Sequence, residues 1–573
     1  MGVIERTVEE LRGRLEAAWR AAVAEGELPE GGLPPFAVER PSEPGHGDFT
    51  SNLAMLLART ARKPPRAIGE ALLRHLPAGA GAAPVREVEV AGPGFLNFHL
   101  EPGWIRPVVE EVLRAGERYG QAPANGIRVN IEFVSANPTG PLNVVNARAA
   151  AFGDALAAVM AAAGYGAYRE FYVNDAGGQF EKLGLAMELR ARQELGEAVE
   201  LPEGVYPGEY VRDLARLWLQ QWEAPADPEL RLDLLRREDP ALREAMGRFA
   251  VERIVGEQRR VLERYGVRFD RWSRESEIRA RGLDGGPEWV VEELRRRGAV
   301  EEREGALWFL SDRWGDEKPR VLRRSNGELT YFVPDVAYHV DKFRRGFDRL
   351  IDIWGQDHHG YVARMRAALA ALGYETERFE VLINQIVRLV RGGEVVRMSK
   401  RQGEYVTMEE LLDEVGTDAA RFFFLMRTIN SHMDFDLDLA KLQGEANPVY
   451  YVQYAHARIA SILRQGRAEG MTPPGPGEVP AERLTEPAEL ELMRKLGEFP
   501  EEIRLAAEER APHRIATYVR ELATLFHAFY TRCRVLDPAE PELTRARLGL
   551  VEATRIVLAR GLGLLGVSAP ERM

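Results

Sequence analysis

Cysteine is nearly absent from this chain of 573 residues, in which Cys533 stands alone. One thiol excludes an internal disulfide and any zinc site built on a pair of thiolates. Also missing is a run of ~18 or more residues that is both uncharged and strongly apolar, which argues against a membrane span. The most apolar helix candidate, Ala149 to Gly164, carries Asp154 and is largely alanine. The N-terminus lacks the apolar core of a secretory signal and opens on an amphipathic pattern, Val3-Ile4-Glu5-Arg6-Thr7-Val8-Glu9-Glu10. No internal repeat is found. Nor is there an excess of positive charge: 77 Lys and Arg stand against 89 Asp and Glu, a net charge of −12. That balance counts only weakly against nucleic-acid binding, because phosphate contacts depend on local basic patches. The absences together lead to the expectation of a cytoplasmic protein with no metal site and no membrane partner.

What is present is a chain too long for one hydrophobic core, 45% hydrophobic and 29% charged, so several domains are expected. The first ~100 residues read as a small α+β unit: a helix over Glu5–Glu25, a turn at Glu30-Gly31-Gly32-Leu33-Pro34-Pro35, and a second helix after Gly47-Asp48-Phe49-Thr50-Ser51-Asn52. Next, Ile127–Phe133 is strand-like, a turn rich in Pro, Gly and Asn follows, a helix begins near Asn143, and Gly166–Val173 is another strand. Strand, loop, helix and strand in that order suggest a parallel sheet. A helical, Arg/Glu-rich stretch over 181–281 reads as an insertion, and strand signals return at Leu307–Leu310, Leu329–Phe332, Leu350–Trp354 and Val381–Val390. After Lys400 the pattern is almost wholly helical.

Two strings carry chemistry. Ile131-Glu132-Phe133-Val134-Ser135-Ala136-Asn137-Pro138-Thr139-Gly140-Pro141-Leu142 leaves a strand and opens a helix, where free backbone N–H groups make a phosphate site. Read alone, it also fits an ordinary strand-to-helix turn. Far downstream, Ile386–Arg391 and Glu394–Arg397 read as a hairpin across Gly392-Gly393, delivering the cationic run Arg397-Met398-Ser399-Lys400-Arg401. A lysine there suits phosphate oxygens as negative charge builds, although a basic loop is also ordinary solvated surface.

Together the two strings resemble the signature regions of class I aminoacyl-tRNA synthetases, and the flanking sequence resembles bacterial-type arginyl-tRNA synthetases over nearly the whole chain. The resemblance extends through Val173-Asn174-Asp175-Ala176-Gly177-Gly178-Gln179, Trp354-Gly355-Gln356-Asp357-His358-His359-Gly360-Tyr361, Thr417-Asp418-Ala419-Ala420-Arg421-Phe422-Phe423 and Tyr450-Tyr451-Val452-Gln453-Tyr454-Ala455-His456-Ala457-Arg458. It implies an α/β architecture: an N-terminal α+β domain contacting tRNA over 1–101, a Rossmann-type catalytic domain over 122–405 with its helical insertion, a helical connector over 406–445, and an anticodon-binding all-α bundle over 446–573. It implies ligation of arginine to tRNA with ATP, Mg²⁺ accompanying the nucleotide, in a monomer.

The resemblance also assigns roles. Arginine falls to Glu132, Ser135, Asn137, Tyr331, Asp335 and, more weakly, Gln356; carboxylates suit a guanidinium, with its fixed charge and five donors. Taken singly, Tyr331 also reads as a strand end and Asp335 as a helix cap. ATP falls to Asn143, Asn146, Gly355, Asp357, Arg397, Met398, Ser399 and Lys400, with Lys400, Asn143 and Asn146 catalytic. Contacts to tRNA fall to Tyr451, Tyr454, His456 and Arg458, a mixture of rings and donors that suits unstacked bases and equally suits a helical core.

One departure is large. Where the family reads His-x-Gly-His, this chain has Asn143-Val144-Val145-Asn146, and Arg397 stands where the first lysine of Lys-Met-Ser-Lys is usual. An Asn amide still offers two donors but carries no positive charge. Two readings follow: a working synthetase in which Arg148 or Arg397 supplies the charge, or a relative that has lost activation and keeps tRNA or arginine binding. A third is a ligase passing activated arginine to a small amine.

Overall fold

The computed structural model describes residues 2–41, 45–77, 84–282, 284–396 and 406–573. At the N-terminus α1 (Val3–Ala24) buries Val3, Thr7, Leu11, Leu15, Ala18 and Ala22, one stripe at helical spacing. It covers a unit made of β1 (Val38–Glu39), β2 (Phe49–Ser51), α2 (Leu53–Ala61), α3 (Pro65–Arg74), β3 (Val85–Ala91) and β4 (Phe95–Leu100). The strands form an antiparallel sheet in the order β1-β2-β4-β3. Helix α4 (Pro107–Ala115) leads out of it.

The centre of the molecule is a parallel sheet of five strands: β5 (Arg128–Glu132), β6 (Gly166–Val173), β7 (Arg271–Arg274), β11 (Arg349–Gly355) and β12 (Phe379–Asn384), in the order β12-β11-β5-β6-β7. The chain builds outward from β5 to one edge, then returns to the other side of β5. The reversal lies between β5 and β11, and in open parallel sheets ligands bind at the carboxyl ends of the strands beside such a switch.

Helix α5 (Val144–Ala162) joins β5 to β6. By length and composition it is apolar enough to cross a membrane, but most of it is buried. It touches the sheet on one side and the later helices α15 (Thr417–Leu425) and α18 (Pro487–Glu508) on others, so apolar residues surround its axis. A Cβ on Gly153 would lie 2.2 Å from the Phe133 ring, so glycine sets how closely α5 crosses the end of β5.

Between β6 and β7 run α6 (Gly178–Glu194), α7 (Glu209–Gln221), α8 (Pro228–Arg236) and α9 (Pro240–Arg264). The stretch 181–281, expected to be helical, therefore also holds the edge strand β7; its Arg-Trp-Ser-Arg sequence offers no apolar alternation to read. After α10 (Glu275–Ala280) and α11 (Pro287–Arg296), an antiparallel trio of β8 (Val300–Arg303), β9 (Ala306–Phe309) and β10 (Arg320–Arg323) precedes α12 (Phe332–Arg344). The strand expected over Leu329–Phe332 is not formed. Leu329 makes one bridge to Arg323, and the helix begins at Phe332, with Pro334 in its first turn.

Beyond β11 and α13 (Val362–Ala371), a hairpin of β13 (Val387–Arg391) and β14 (Glu394–Val395) is extended by β15 (Met433–Asp436), parallel to β13. This strand is the exception among the described residues after Lys400, which are otherwise almost wholly helical, as expected. Four alternating residues, Met-Asp-Phe-Asp, are too few to stand out among helices. Around it lie α14 (Met408–Val415), α15 (Thr417–Leu425) and α16 (Leu437–Lys441), followed by a bundle of α17 (Pro448–Ala468), α18 (Pro487–Glu508), α19 (His513–Arg532) and α20 (Pro541–Leu564).

The bundle is riveted to the catalytic sheet by Arg421 of α15, which is fully buried. Its guanidinium donates to Leu565 O at 2.8 Å, Tyr265 O at 3.0 Å and Asp154 Oδ2 on α5 at 2.6 Å. Gly566, at φ +65°, gives this side chain room; a Cβ there would fall 2.3 Å from it.

Candidate active site

Glu132 ends β5 at the switch point. In the register of the sheet it lies beside Asp352 of β11 on one side and Glu170 of β6 on the other. Three carboxylates in a row on one face require cations, and α12 and the residue that ends it supply them. Lys342 Nζ, fully buried, donates to Glu132 Oε2 at 2.5 Å and to Asp352 Oδ1 at 2.9 Å. Arg345 donates to both oxygens of Glu170 at 2.8 Å. His339 Nε2 lies 2.7 Å from Asp352 Oδ2. Burial raises the Glu132 carboxyl above the usual range although Lys342 works against it. Burial also disfavours ionised Asp352, but Lys342 and His339 more than reverse this and hold it below its ordinary value.

The loop after β5 is strained. Val134 and Ser135 have φ of +69° and +37°, a region that non-glycine residues rarely enter, β-branched ones least of all. The strain aims Ser135 Oγ back at Glu132 Oε1 (2.8 Å), where it also accepts the Tyr172 N–H at 3.1 Å. Gln258 of α9 clasps the rest of the loop through the carbonyls of Asn137 (3.2 Å) and Gly140 (3.0 Å), and the Asn137 side chain is exposed.

Asp335, one turn before His339, has its carboxyl raised by burial, partly offset by His339 and by a hydrogen bond from Tyr361. The Tyr172 hydroxyl, on the neighbouring strand β6, feels the charge of both it and Glu132. Burial drives that phenol well above its ordinary value, and Glu275, Asp335 and Glu132 add to the effect. Those three acids therefore share one neighbourhood. Tyr331 is half exposed at the mouth, where its hydroxyl accepts the Gly178 N–H at 2.8 Å. A Cβ on Gly177 or Gly178 would strike its ring or hydroxyl, so this lip of the cleft needs both glycines. Gln356 and Asp357 follow Gly355 at the end of β11, all exposed.

At the other end of the same edge, Asn143 caps α5. Its Oδ1 accepts from Val145 N (2.9 Å) and Asn146 N (3.1 Å), while Asn146 Oδ1 accepts from Asn143 N at 3.0 Å. Both amide oxygens serve the helix, and the –NH₂ groups are what these side chains have to offer an anion at its N-terminus. Arg148 does not supply the missing charge: it is buried and donates to the carbonyls of Gln385 (3.2 Å) and Thr428 (2.8 Å), and burial lowers its guanidinium to about 10. Arg397, Met398, Ser399 and Lys400 lie outside the described residues. The chain re-enters beside the cap, where Thr407 bridges Asn143 and Met408 N donates to Leu142 O at 2.8 Å.

On the bundle, Tyr451, Tyr454 and Arg458 share one partly exposed face of α17 with His527 and Tyr530 of α19. The Arg458 guanidinium sits over the rings of Tyr454 (5.2 Å) and Tyr530 (5.0 Å). His456 corrects the expectation for tRNA contacts: it is buried, with Nδ1 2.9 Å from the Pro570 carbonyl. Two residues past Tyr454, it lies on the opposite side of the helix.

Sequence reasoning missed Lys342, His339, Asp352 and Glu275. A buried lysine on an amphipathic helix carries no local signal, and its acidic partners come from strands 210 and 10 residues away in the chain.

Comparison with known proteins accounts for the whole chain. Residues 9–100 match the arginyl tRNA synthetase N-terminal domain, 108–424 the class I (R) tRNA synthetase catalytic domain and 452–573 the DALR anticodon binding domain. An arginine–tRNA ligase of Symbiobacterium thermophilum is 49% identical over 100% of both chains. One of Desulforudis audaxviator is 50% identical over 98% of this chain and 99% of its own. The crystal structure of Thermus thermophilus arginyl-tRNA synthetase superposes with a TM-score of 0.72 at 27% identity, covering 98% of this chain and all of that one. The chain belongs to the bacterial arginyl-tRNA synthetases, class I ligases that use ATP to join arginine to tRNA.

Proposed function

We propose that the cleft between β5 and β11 holds arginine beside ATP, with Glu132 and Asp335 as its charge-reading groups. The observation that carries this is a pair of carboxyls raised by burial and tied to one another at the switch point through Lys342, Asp352 and His339. Asp335, so placed, takes up a cation at much lower cost than it bears alone, and a neutral analogue leaves it unmatched, while Glu132, already paired with Lys342, adds a second acceptor of fixed position. Ser135, Asn137, Tyr331 and Gln356 complete the pocket.

ATP lies over the N-terminus of α5, with its phosphates on the Asn143 and Asn146 amides and its nucleoside toward Gly355 and Asp357. Arg397, Met398, Ser399 and Lys400 are its remaining contacts. The arginine carboxylate attacks the α-phosphate and pyrophosphate departs; Lys400 and the two amides meet the charge that develops. The terminal ribose hydroxyl of tRNA then attacks the acyl carbon, releasing AMP. Mg²⁺ bound with the nucleotide would offset the charge of its phosphates.

Tyr451, Tyr454 and Arg458 offer bases an aromatic and cationic surface. Beside Tyr451 a cleft of about 800 Å³ carries Arg40, Arg494, Lys495 and Arg520 together with Glu445, Glu491, Glu498 and Glu521. The N-terminal unit over 1–101, the catalytic unit over 122–405, the connector over 406–445 and the bundle over 446–573 act as one monomer in the cytoplasm. Arginine-dependent exchange of labelled pyrophosphate into ATP, with and without tRNA, tests the reading. Exchange that ignores arginine, or that survives unchanged when Glu132 and Asp335 are both made amides, would refute it.

A further inference from the structure

Helix α12 presents Asp335, His339 and Lys342 at i, i+4 and i+7, one stripe over the sheet. The hydrogen bonds of this stripe fix its charges. His339 Nδ1 is 2.8 Å from the backbone carbonyl of Asp335, which can only accept. Its Nε2 is 2.7 Å from Asp352 Oδ2, and the other oxygen of that carboxylate takes Lys342 Nζ at 2.9 Å. A neutral imidazole has a single N–H, so two acceptors at these distances require the imidazolium. The ammonium of Lys342 meanwhile keeps Asp352 ionised. The result is a buried, neutral quartet: Glu132 and Asp352 negative, Lys342 and His339 positive.

The quartet has two outlets, and both lead to the cleft. One is Glu132, held through Oε2 by Lys342. The other is the first turn of α12, held through the Asp335 carbonyl by His339, from which the Asp335 carboxylate projects, its Oδ1 3.5 Å from His339 Nδ1. None of the four groups is left over for phosphate. Without Lys342, Glu132 and Asp352 would face each other as register neighbours with no cation between them, and one would take a proton.

We propose that His339, Asp352 and Lys342 are positioning residues that lock Glu132 and Asp335 into one rigid pair, so that they set the affinity for arginine and leave that for ATP alone. This rests on the reading that Glu132 and Asp335 bind arginine. The lock joins β5, β11 and α12, the three elements that border the cleft. It spaces two carboxylates for a substrate carrying two cationic groups, and a rigid pair discriminates by length as well as by charge.

The test is steady-state pyrophosphate exchange on the full-length enzyme with saturating tRNA. Asp352→Asn and His339→Gln are near-isosteric; Lys342→Met removes the shared cation and Lys342→Arg restores a charge of different shape. The expected result is an arginine KM raised at least ~20-fold in Asp352→Asn and His339→Gln, with the ATP KM within about threefold of wild type. Lys342→Met is the worst of the series and Lys342→Arg recovers part of the loss. Homoarginine, one methylene longer, should be rejected less sharply by the loosened variants. If Glu132→Gln and Asp335→Asn raise the arginine KM while the three positioning variants do not, the lock is wrong and the binding site stands. If Glu132→Gln and Asp335→Asn leave the arginine KM unchanged, the site assignment falls first. Equal changes in the KM of arginine, ATP and tRNA would reduce the quartet to general structural support and overturn the proposal. Should Lys342→Met fail to fold, the two near-isosteric variants decide alone.

Discussion

Replacing Arg421 by methionine isolates the cost of undocking the C-terminal bundle from the catalytic sheet. Methionine fills much of the same volume and removes every donor. Three acceptors then lose a partner: Leu565 O, Tyr265 O and Asp154 Oδ2. Asp154 keeps Arg169 on its other oxygen at 2.9 Å, so its charge is not orphaned. The two carbonyls have no such reserve, and each costs about 1–3 kcal/mol when left dry. The cation stacked 5.4 Å from the Tyr265 ring is lost as well. The sum falls at about 3–5 kcal/mol, the usual range for breaking a buried pair. Arg421→Lys keeps the charge but reaches one acceptor at a time, and should cost about half as much. Urea unfolding gives the total, and hydrogen exchange gives the location. Amides of Leu565 and Val567, bonded within the end of α20, should lose protection before those of β5 and β11. A methionine variant within about 1 kcal/mol of wild type, or one whose exchange rises uniformly, would refute the claim that this residue is the rivet.

Three further outcomes are expected. Lys400→Ala lowers pyrophosphate exchange by at least ~100-fold with little change in arginine KM, as the loss of a charge met only in the transition state requires; unchanged exchange removes it from the mechanism. Asn143→Ala destabilises α5 by about 1 kcal/mol through loss of the cap and also slows exchange, because the same side chain serves helix and phosphate; a stability loss with normal turnover would separate the two roles. For His339, burial opposes protonation but Asp352 outweighs it, raising the folded-state value above 6.5. Its contribution to stability is then complete below about 6.5, the unfolded value, and is lost as pH rises through the folded one. The unfolding free energy of wild type relative to His339→Gln should shrink on going from mildly acidic to alkaline pH, and a gap that widens would reverse the assignment.

The parts of this molecule that were legible in the sequence were those with a local signature. Strands β5 and β6 alternate or run apolar between turn residues, and the helix beginning near Asn143 follows a turn rich in Pro, Gly and Asn. The segments that misled were short or dual-purpose. Leu329 to Phe332 has strand-forming residues, but the proline at 334 and the aspartate beside it start a helix. The strand β7 is as polar as the helices around it. Resemblance named Glu132 and Asp335. Their supports could not be read from spacing, since Lys342, His339 and Asp352 acquire meaning only when a helix is laid across two strands. His456 misled for the complementary reason: an imidazole among tyrosines looks like a base-stacking surface until its position around the helix is known.

The contorted backbone at Val134 and Ser135 makes the amino-acid pocket answerable to a distant part of the chain. A valine forced into a left-handed posture holds about 1–3 kcal/mol that any slackening would release. Restraint comes from Tyr172 on the neighbouring strand and from Gln258 on α9, more than a hundred positions downstream. Gln258 grips the carbonyls of Asn137 and Gly140, so the helical excursion between β6 and β7 helps to fix the loop that holds the serine hydroxyl against Glu132.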